Sequence, residues 1–251
     1  MTNRNFTEPD WHADAQAIRQ LAPHGKLRTA MNFGNPVLAQ RDPVSGEPRG
    51  VSADLARGLA QRLGVTVEFH AFDTAGKVVE TAQADVWDVA FLAIDPKRAE
   101  SIAYTAPYVF IEGTYLVRGD SAFRSVKDLD APGVQVAVGK GAAYDLFLTR
   151  TLKHAAIVRL PLSEDAMEQF ADLGLDAAAG VRQPLQVYAK EHAGYRVLDD
   201  RFTVIEQAMG CPQGREAGSR LLEAYLEFAK RSGLVAEGLR CSGQGDATLA
   251  P

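Results

Sequence analysis

The sequence predicts an α/β protein built as two lobes, and three observations carry that reading. From Leu27 onward short β-prone runs alternate with segments of helical periodicity, the pattern of parallel strands joined by right-handed crossovers. The alternation occurs twice, in sets of about 90–100 residues each, separated by the turn-prone stretch RGDSAFRSVKDLDAPG (118–133). The run VWDVAFLAI (86–94) is apolar almost throughout, as a strand covered on both faces requires. Ligands of open parallel sheets sit beyond the carboxyl ends of the strands, so the cleft between two such lobes is the expected pocket.

The elements follow in order. LRTAMNF (27–33) is a strand. ADLARGLAQRL (53–63) repeats leucine every fourth residue and is a helix, with Ser52 as its cap and Gly64 at its end. VTVEFHAF (65–72) places Val65, Val67 and Phe69 on one face of a strand. In the second set, VQVAVG (134–139), AIVRL (156–160) and LDAAAG (175–180) read as strands. AYDLFLTRTLKHA (143–155), SEDAMEQFADLG (163–174, capped by Ser163) and PLQVYAKEHAG (184–194) read as helices. YRVLDD (195–200) and FTVIEQAMG (202–210) are extended. REAGSRLLEAYLEFAKRSG (215–233) is the longest helix, with Leu222, Tyr225, Leu226 and Ala229 on one side.

Composition narrows the classes. The chain has 251 residues, 46% hydrophobic and 24% charged, with a formal net charge of −5. That suffices for a real core and argues against nucleic acid, which needs a basic face. No apolar run reaches the ~18 residues of a membrane span. The N-terminus has no apolar core after a basic end, so if Met1 is the native start the expected compartment is the cytoplasm. Two cysteines, Cys211 and Cys241, without CxxC spacing read as buried thiols, or as a disulfide in an oxidising compartment. The five histidines are scattered, and HExxH, GxSxG and GxxxxGK[ST] are absent, so no metal or cofactor is expected.

One stretch points to a site. DVAFLAIDPKR (88–98) ends a strand in Asp95, a good N-cap, and Pro96, favoured at the first helical position. Arg98 then lies in the first turn of a helix that starts where a sheet strand ends. Free N–H groups and the helix dipole favour an anion there, and the arginine adds a two-pronged donor matched to a carboxylate. The alternative is a surface arginine paired with Glu100 or Asp95. GKGAA (139–143) is a glycine turn opening a helix, where the backbone of Gly141 and Ala142 could meet an anion.

These residues resemble the type II periplasmic solute-binding proteins, in particular those for polar amino acids. GVSADLARGLAQRLGVTVEF, DPKRAESIAYTAPYV, SVKDLDAPGVQVAVGKGAAYDLFL and LGLDAAAGVRQPL stand in the family's order. The resemblance implies lobe one at 27–111 and 206–251, lobe two at 112–205, and residues 1–26 as an N-terminal extension. It implies hinges at EGTYL (112–116) and TVIEQ (203–207), and closure on the ligand. It also implies that Arg98 clamps a ligand carboxylate, and that Phe33 and Asn35 face the ligand. The chain departs from the family at Phe91 and Ala93, where hydroxyl residues are usual, and at Ala142, where threonine is. Val181 stands where an aspartate holds the ligand's ammonium, and Arg182 follows it. The expected ligand is therefore a small organic carboxylate rather than a standard α-amino acid. Arg182 would suit a dianion if it faces the cleft. If it points to solvent, a monocarboxylate would pack its apolar body near Phe33 and Phe91.

The resemblance implies a monomer in the periplasm, if a signal has been removed, serving the membrane subunits of an ABC transporter. Cyclohexadienyl dehydratases resemble the same family, and IEQAMG looks like their acid-bearing stretch, which would make Glu206 a proton donor. Glu112 and Glu206 are also the carboxylates near the hinges that could receive an ammonium. A transcription-factor effector domain is the third class, but residues 1–26 are too short for a helix-turn-helix domain.

Overall fold

The computed structural model describes residues 14–251. Its first half contains α1 (Ala15–Leu21), β1 (Lys26–Asn32), β2 (Gln40–Arg41), β3 (Pro48–Arg49), α2 (Val51–Leu63), β4 (Thr66–Phe72), α3 (Ala75–Glu80), β5 (Val89–Ala93), α4 (Pro96–Ala99) and β6 (Ile102–Arg118). The second contains β7 (Gln135–Gly139), α5 (Ala143–Thr151), β8 (Ala156–Leu160), α6 (Ser163–Gln169), β9 (Ala177–Val181), α7 (Arg182–Glu191) and β10 (Tyr195–Val197). The chain then returns through β11 (Thr203–Pro212), α8 (Glu216–Arg231), α9 (Leu234–Cys241) and β12 (Thr248–Leu249).

Two parallel sets are joined by two long crossing strands. β4 and β5 flank β1, and β8 and β9 flank β7, all in parallel. β6 and β11 run antiparallel between the sets and complete the order β4-β1-β5-β11-β6-β9-β7-β8. β6 pairs with β11 up to Gly113 and with β9 from Gly113 to Val117, so the chain changes partners there. Gly113 suits that point: a Cβ would lie 2.6 Å from the ring of Phe202.

Local signals hold where the needed residue is a near neighbour. β5 is buried along its length, as its apolar run requires. Gly64 ends α2 in the left-handed conformation (φ 68°). Two caps differ. The N-cap of α2 is Gly50, at φ 100°, a backbone state that disfavours a side chain, and Ser52 lies inside the helix. Leu162 occupies the N-cap of α6, where its N–H donates to Asp165 at 3.0 Å, which releases Ser163.

Residues 1–13, with His12, lie outside the described residues. Residues 14–26 are no mere extension. α1 packs on α8, with Leu21 fully buried against Gly218, where a Cβ would come within 2.9 Å of it. Gln20 accepts the Gly218 N–H through its side chain and an Arg215 N–H through its carbonyl, both at 2.8 Å. The thiols are unbonded. Cys211 is in the core, where burial raises its pKa to about 11, and Cys241 is exposed rather than buried.

Candidate functional site

Arg98 lies where the strand–Asp-Pro sequence puts it. The Asp95 carboxylate accepts the Lys97 N–H at 2.9 Å, Pro96 opens α4, and the Arg98 side chain turns inward to 2% exposure. Its guanidinium donates to the Ala93 carbonyl at 3.2 Å and, from the opposite side of the cleft, to the Gly141 carbonyl at 2.9 Å. Burial lowers its pKa, opposed by Tyr104 and Asp95, yet a guanidinium stays charged in a protein. Asp95 and Glu100 do not take Arg98 as a surface partner: Asp95 pairs with Arg150 of α5 at 2.8 Å, and Glu100 lies beside Lys97. Among the described residues Arg98 makes no ion pair; it donates to the two carbonyls, and the nearby Tyr104 and Asp95 favour its charge.

Around it lies an inner cavity of about 40 Å³. β1 and its loop supply Asn32, Gly34 and Asn35, the start of α3 supplies Thr74 and Ala75, and β5 supplies Ala93. The second set contributes Lys140, Ala142, Ala143, Tyr144, Ser163 and Val181, and β11 contributes Ile205 and Gln207. The lining therefore includes two basic residues, the buried Arg98 and the exposed Lys140, and no aspartate or glutamate. Gly34, Asn35, Tyr144, Ser163 and Val181 also border an outer cavity of about 410 Å³. Its wall is largely apolar, with Phe33, Pro36, Leu162, Met167 and Pro184, while Asp73 and Glu164 also border it. Asp73 is paired with Lys77 at 2.9 Å.

Of the residues singled out from sequence, Arg98, Asn35, Ala93, Ala142 and Val181 line the inner cavity, and Phe33 lines the outer one. Phe33 carries the Arg41 guanidinium 4.0 Å from its ring centroid. Gly141 takes part through its carbonyl rather than its N–H, which donates to Asp145 at 2.8 Å. The Ala142 N–H is likewise taken, by the Gly139 carbonyl. α5 has no side-chain cap, and Ala143 and Tyr144 of its first turn line the site.

Four readings are corrected. Phe91 is 3% exposed, edge-on to Tyr108 in the core, and lines neither cavity. Arg182 faces neither the cleft nor open solvent. It donates to Glu112 at 2.6 Å and to the carbonyls of Leu198, Asp199 and Asp200 at 3.0 Å each. Glu112 is consumed by the same cluster, which Arg201 joins, and these cations hold its pKa down against burial. Glu206 is exposed: strand alternation in β11 turns Ile205 and Gln207 to the cavity and Glu206 away.

Sequence reasoning missed Lys140, Tyr144, Ser163, Thr74 and Gln207. Lys140 stood within the GKGAA turn, and the period of two would have selected Gln207 over Glu206. Tyr144 donates to Ser163 Oγ at 2.8 Å, and Thr74 Oγ1 accepts the Lys77 N–H. Among the described residues no cluster of three His, Cys, Asp or Glu side chains could hold a metal ion.

The profile of the bacterial extracellular solute-binding proteins, family 3, matches residues 28–237, and the chain belongs to that family. A probable amino-acid ABC transporter periplasmic-binding protein of Sinorhizobium fredii is 28% identical, over 87% of this chain and 77% of its own. The glutamine-binding protein of Geobacillus stearothermophilus is 24% identical (76% and 74% covered), and the cyclohexadienyl dehydratase of Pseudomonas aeruginosa 23% (89% and 84%). Among solved structures, the solute receptor for L-cysteine of Neisseria gonorrhoeae superposes with a TM-score of 0.78 at 19% identity, covering 90% of this chain and 92% of that one. An ancestral amino acid-binding protein, a precursor of cyclohexadienyl dehydratase, gives 0.75 at 24% identity, covering 89% and 98%. The fold is thus that of the type II periplasmic binding proteins. No helix among the described residues is long and apolar enough to cross a membrane.

Proposed function

We propose that the protein binds a small organic carboxylate in this cleft without transforming it, and presents it in the periplasm to the membrane subunits of an ABC transporter. The observation that carries the reading is the charge of the inner cavity: Arg98 and Lys140 line it, and no acidic side chain does. A carboxylate there meets a buried two-pronged donor, while the ammonium of an α-amino acid would find no carboxylate in the inner lining and Val181 where the family's aspartate stands. A monocarboxylate fits better than a dianion, since Arg182 is engaged elsewhere. The apolar wall of the outer cavity gives the solute's body a place beside Phe33. The dehydratase alternative loses its acid, because Glu206 is exposed and turned away. A thermal-shift screen of small carboxylates against their amino-acid counterparts tests the reading, since a ligand of the folded state raises the melting temperature. Organic acids are expected to stabilise the protein more than any of the standard amino acids.

Residues 27–111 with 206–251, and residues 112–205, act on this reading as lobes that rotate about β6 and β11. The Arg98–Gly141 and Asp95–Arg150 contacts belong to the closed form, since each joins β5–α4 to the start or body of α5. Arg150→Ala leaves Asp95 buried, at 4% side-chain exposure, without its cation. The variant is expected to weaken the best acid roughly tenfold, about 1.4 kcal/mol, although Arg150 touches neither cavity. Calorimetry should show that loss, and small-angle scattering a larger radius of gyration at subsaturating ligand. Unchanged affinity would remove the pair from the closing mechanism.

A further inference from the structure

We infer that the solute is a hydroxycarboxylate whose hydroxyl donates to the side-chain carbonyl of Asn35. The inference rests on the carboxylate reading above and specifies the rest of the ligand. Asn35 is 9% exposed, borders both cavities, and its Oδ1 has no hydrogen-bond partner. Among the side chains lining the inner cavity it alone leaves a buried polar atom unpartnered. Of the other polar groups in the lining, Asn32 Oδ1 accepts the Gly34 N–H at 3.1 Å, Tyr144 donates to Ser163, and Thr74 accepts from Lys77. An unpaired buried carbonyl is unfavourable and is the exception in native proteins, so a ligand donor is the fitting partner.

The surrounding charge selects which donor. An ammonium would add a third positive charge beside Arg98 and Lys140, while the carboxylates of Asp73, paired with Lys77, and Glu164 border only the outer cavity. A hydroxyl gives one hydrogen bond to Asn35 and keeps lone pairs for a donor from Lys140, Ala143 or Tyr144, residues that border the same space. Asn35 sits at the junction of the two cavities, with the carboxylate side inward at Arg98 and the apolar wall outward. The hydroxyl therefore lies near the carboxylate, ahead of the solute's body, as in a 2-hydroxy acid.

The test uses three carbon skeletons, each as hydroxy acid, deoxy acid and amino acid. They are lactate, propionate and alanine; 2-hydroxy-4-methylpentanoate, 4-methylpentanoate and leucine; and 3-phenyllactate, 3-phenylpropanoate and phenylalanine. Thermal shift followed by calorimetry on the full chain should rank the hydroxy acid first in at least one set, by about tenfold over its deoxy partner. Asn35→Ala should bring those two to parity. Asn35→Asp, which supplies a carboxylate, should move the preference toward the amino acid. Equal binding of hydroxy and deoxy acids by the wild type, or a ratio unchanged in Asn35→Ala, would overturn the inference and leave the carboxylate reading standing. Tighter binding of the amino acids, or no binding by any of the nine compounds, would overturn both. Should Asn35→Ala fail to fold, the wild-type ranking alone decides.

Discussion

Replacing Arg98 with alanine is expected to abolish ligand binding while leaving the protein folded. The guanidinium is 2% exposed, with two carbonyl acceptors and no ion pair among the described residues. Its charge is desolvated and only partly offset by Tyr104 and Asp95. Truncating one partner of a buried, hydrogen-bonded charge pair costs about 2–5 kcal/mol, which is roughly 30-fold to several-thousand-fold in affinity. Stability should suffer little, because the change also removes a burial penalty. Arg98→Lys keeps a charge but loses the flat fork and should fall between the two. Calorimetry measures the affinity and thermal melting the fold. Wild-type affinity in Arg98→Ala would show that the carboxylate is held elsewhere.

The largest loss of stability is expected at Asp88, away from the cleft. Its carboxylate is fully buried and accepts from Arg28 Nε and Nη2 at 2.9 and 2.8 Å, from the Arg28 N–H at 3.2 Å, and from Arg215 Nη1 at 2.7 Å. Hydrogen bonding to Asp88 is the main reason the Arg28 pKa rises. Arg215 also holds the Gln20 carbonyl, so one carboxylate ties β1, α1 and the entry to α8 together. Asp88→Ala leaves two arginines, 12% and 18% exposed at their side chains, without that partner. Breaking a buried network in this way costs about 3–5 kcal/mol, or roughly 6–20 °C in melting temperature for a chain of this size. Urea unfolding should show the drop, and ligand affinity of the folded fraction should hold. A loss below 1 kcal/mol would mean that Asp85, which already pairs with both arginines, is enough to hold them.

What the sequence made legible follows the range of the interactions. Asp95, Pro96 and Arg98 could be read because a cap, a first-turn proline and an inward arginine depend on neighbours within four residues. Arg182 could not, because its partners are the carbonyls of residues 198–200 and Glu112, 70 positions away. Phe91 and Glu206 failed on the face they present, which in a strand depends on which side the rest of the chain covers. Ser52 and Ser163 are good caps by type, but Gly50 and Leu162 took the positions. Ser163 thereby became a wall of the cleft. Lys140 needed the two sets brought together before it had a cavity to line.

The central claim is that the cleft takes a carboxylate and offers an ammonium no carboxylate in its inner cavity. Titration calorimetry with the standard amino acids and their deaminated acids tests it most directly. The account predicts that at least one acid binds more tightly than every amino acid, and that Arg98→Ala removes this binding. Micromolar affinity for a standard amino acid, with none for acids lacking the amino group, would contradict it.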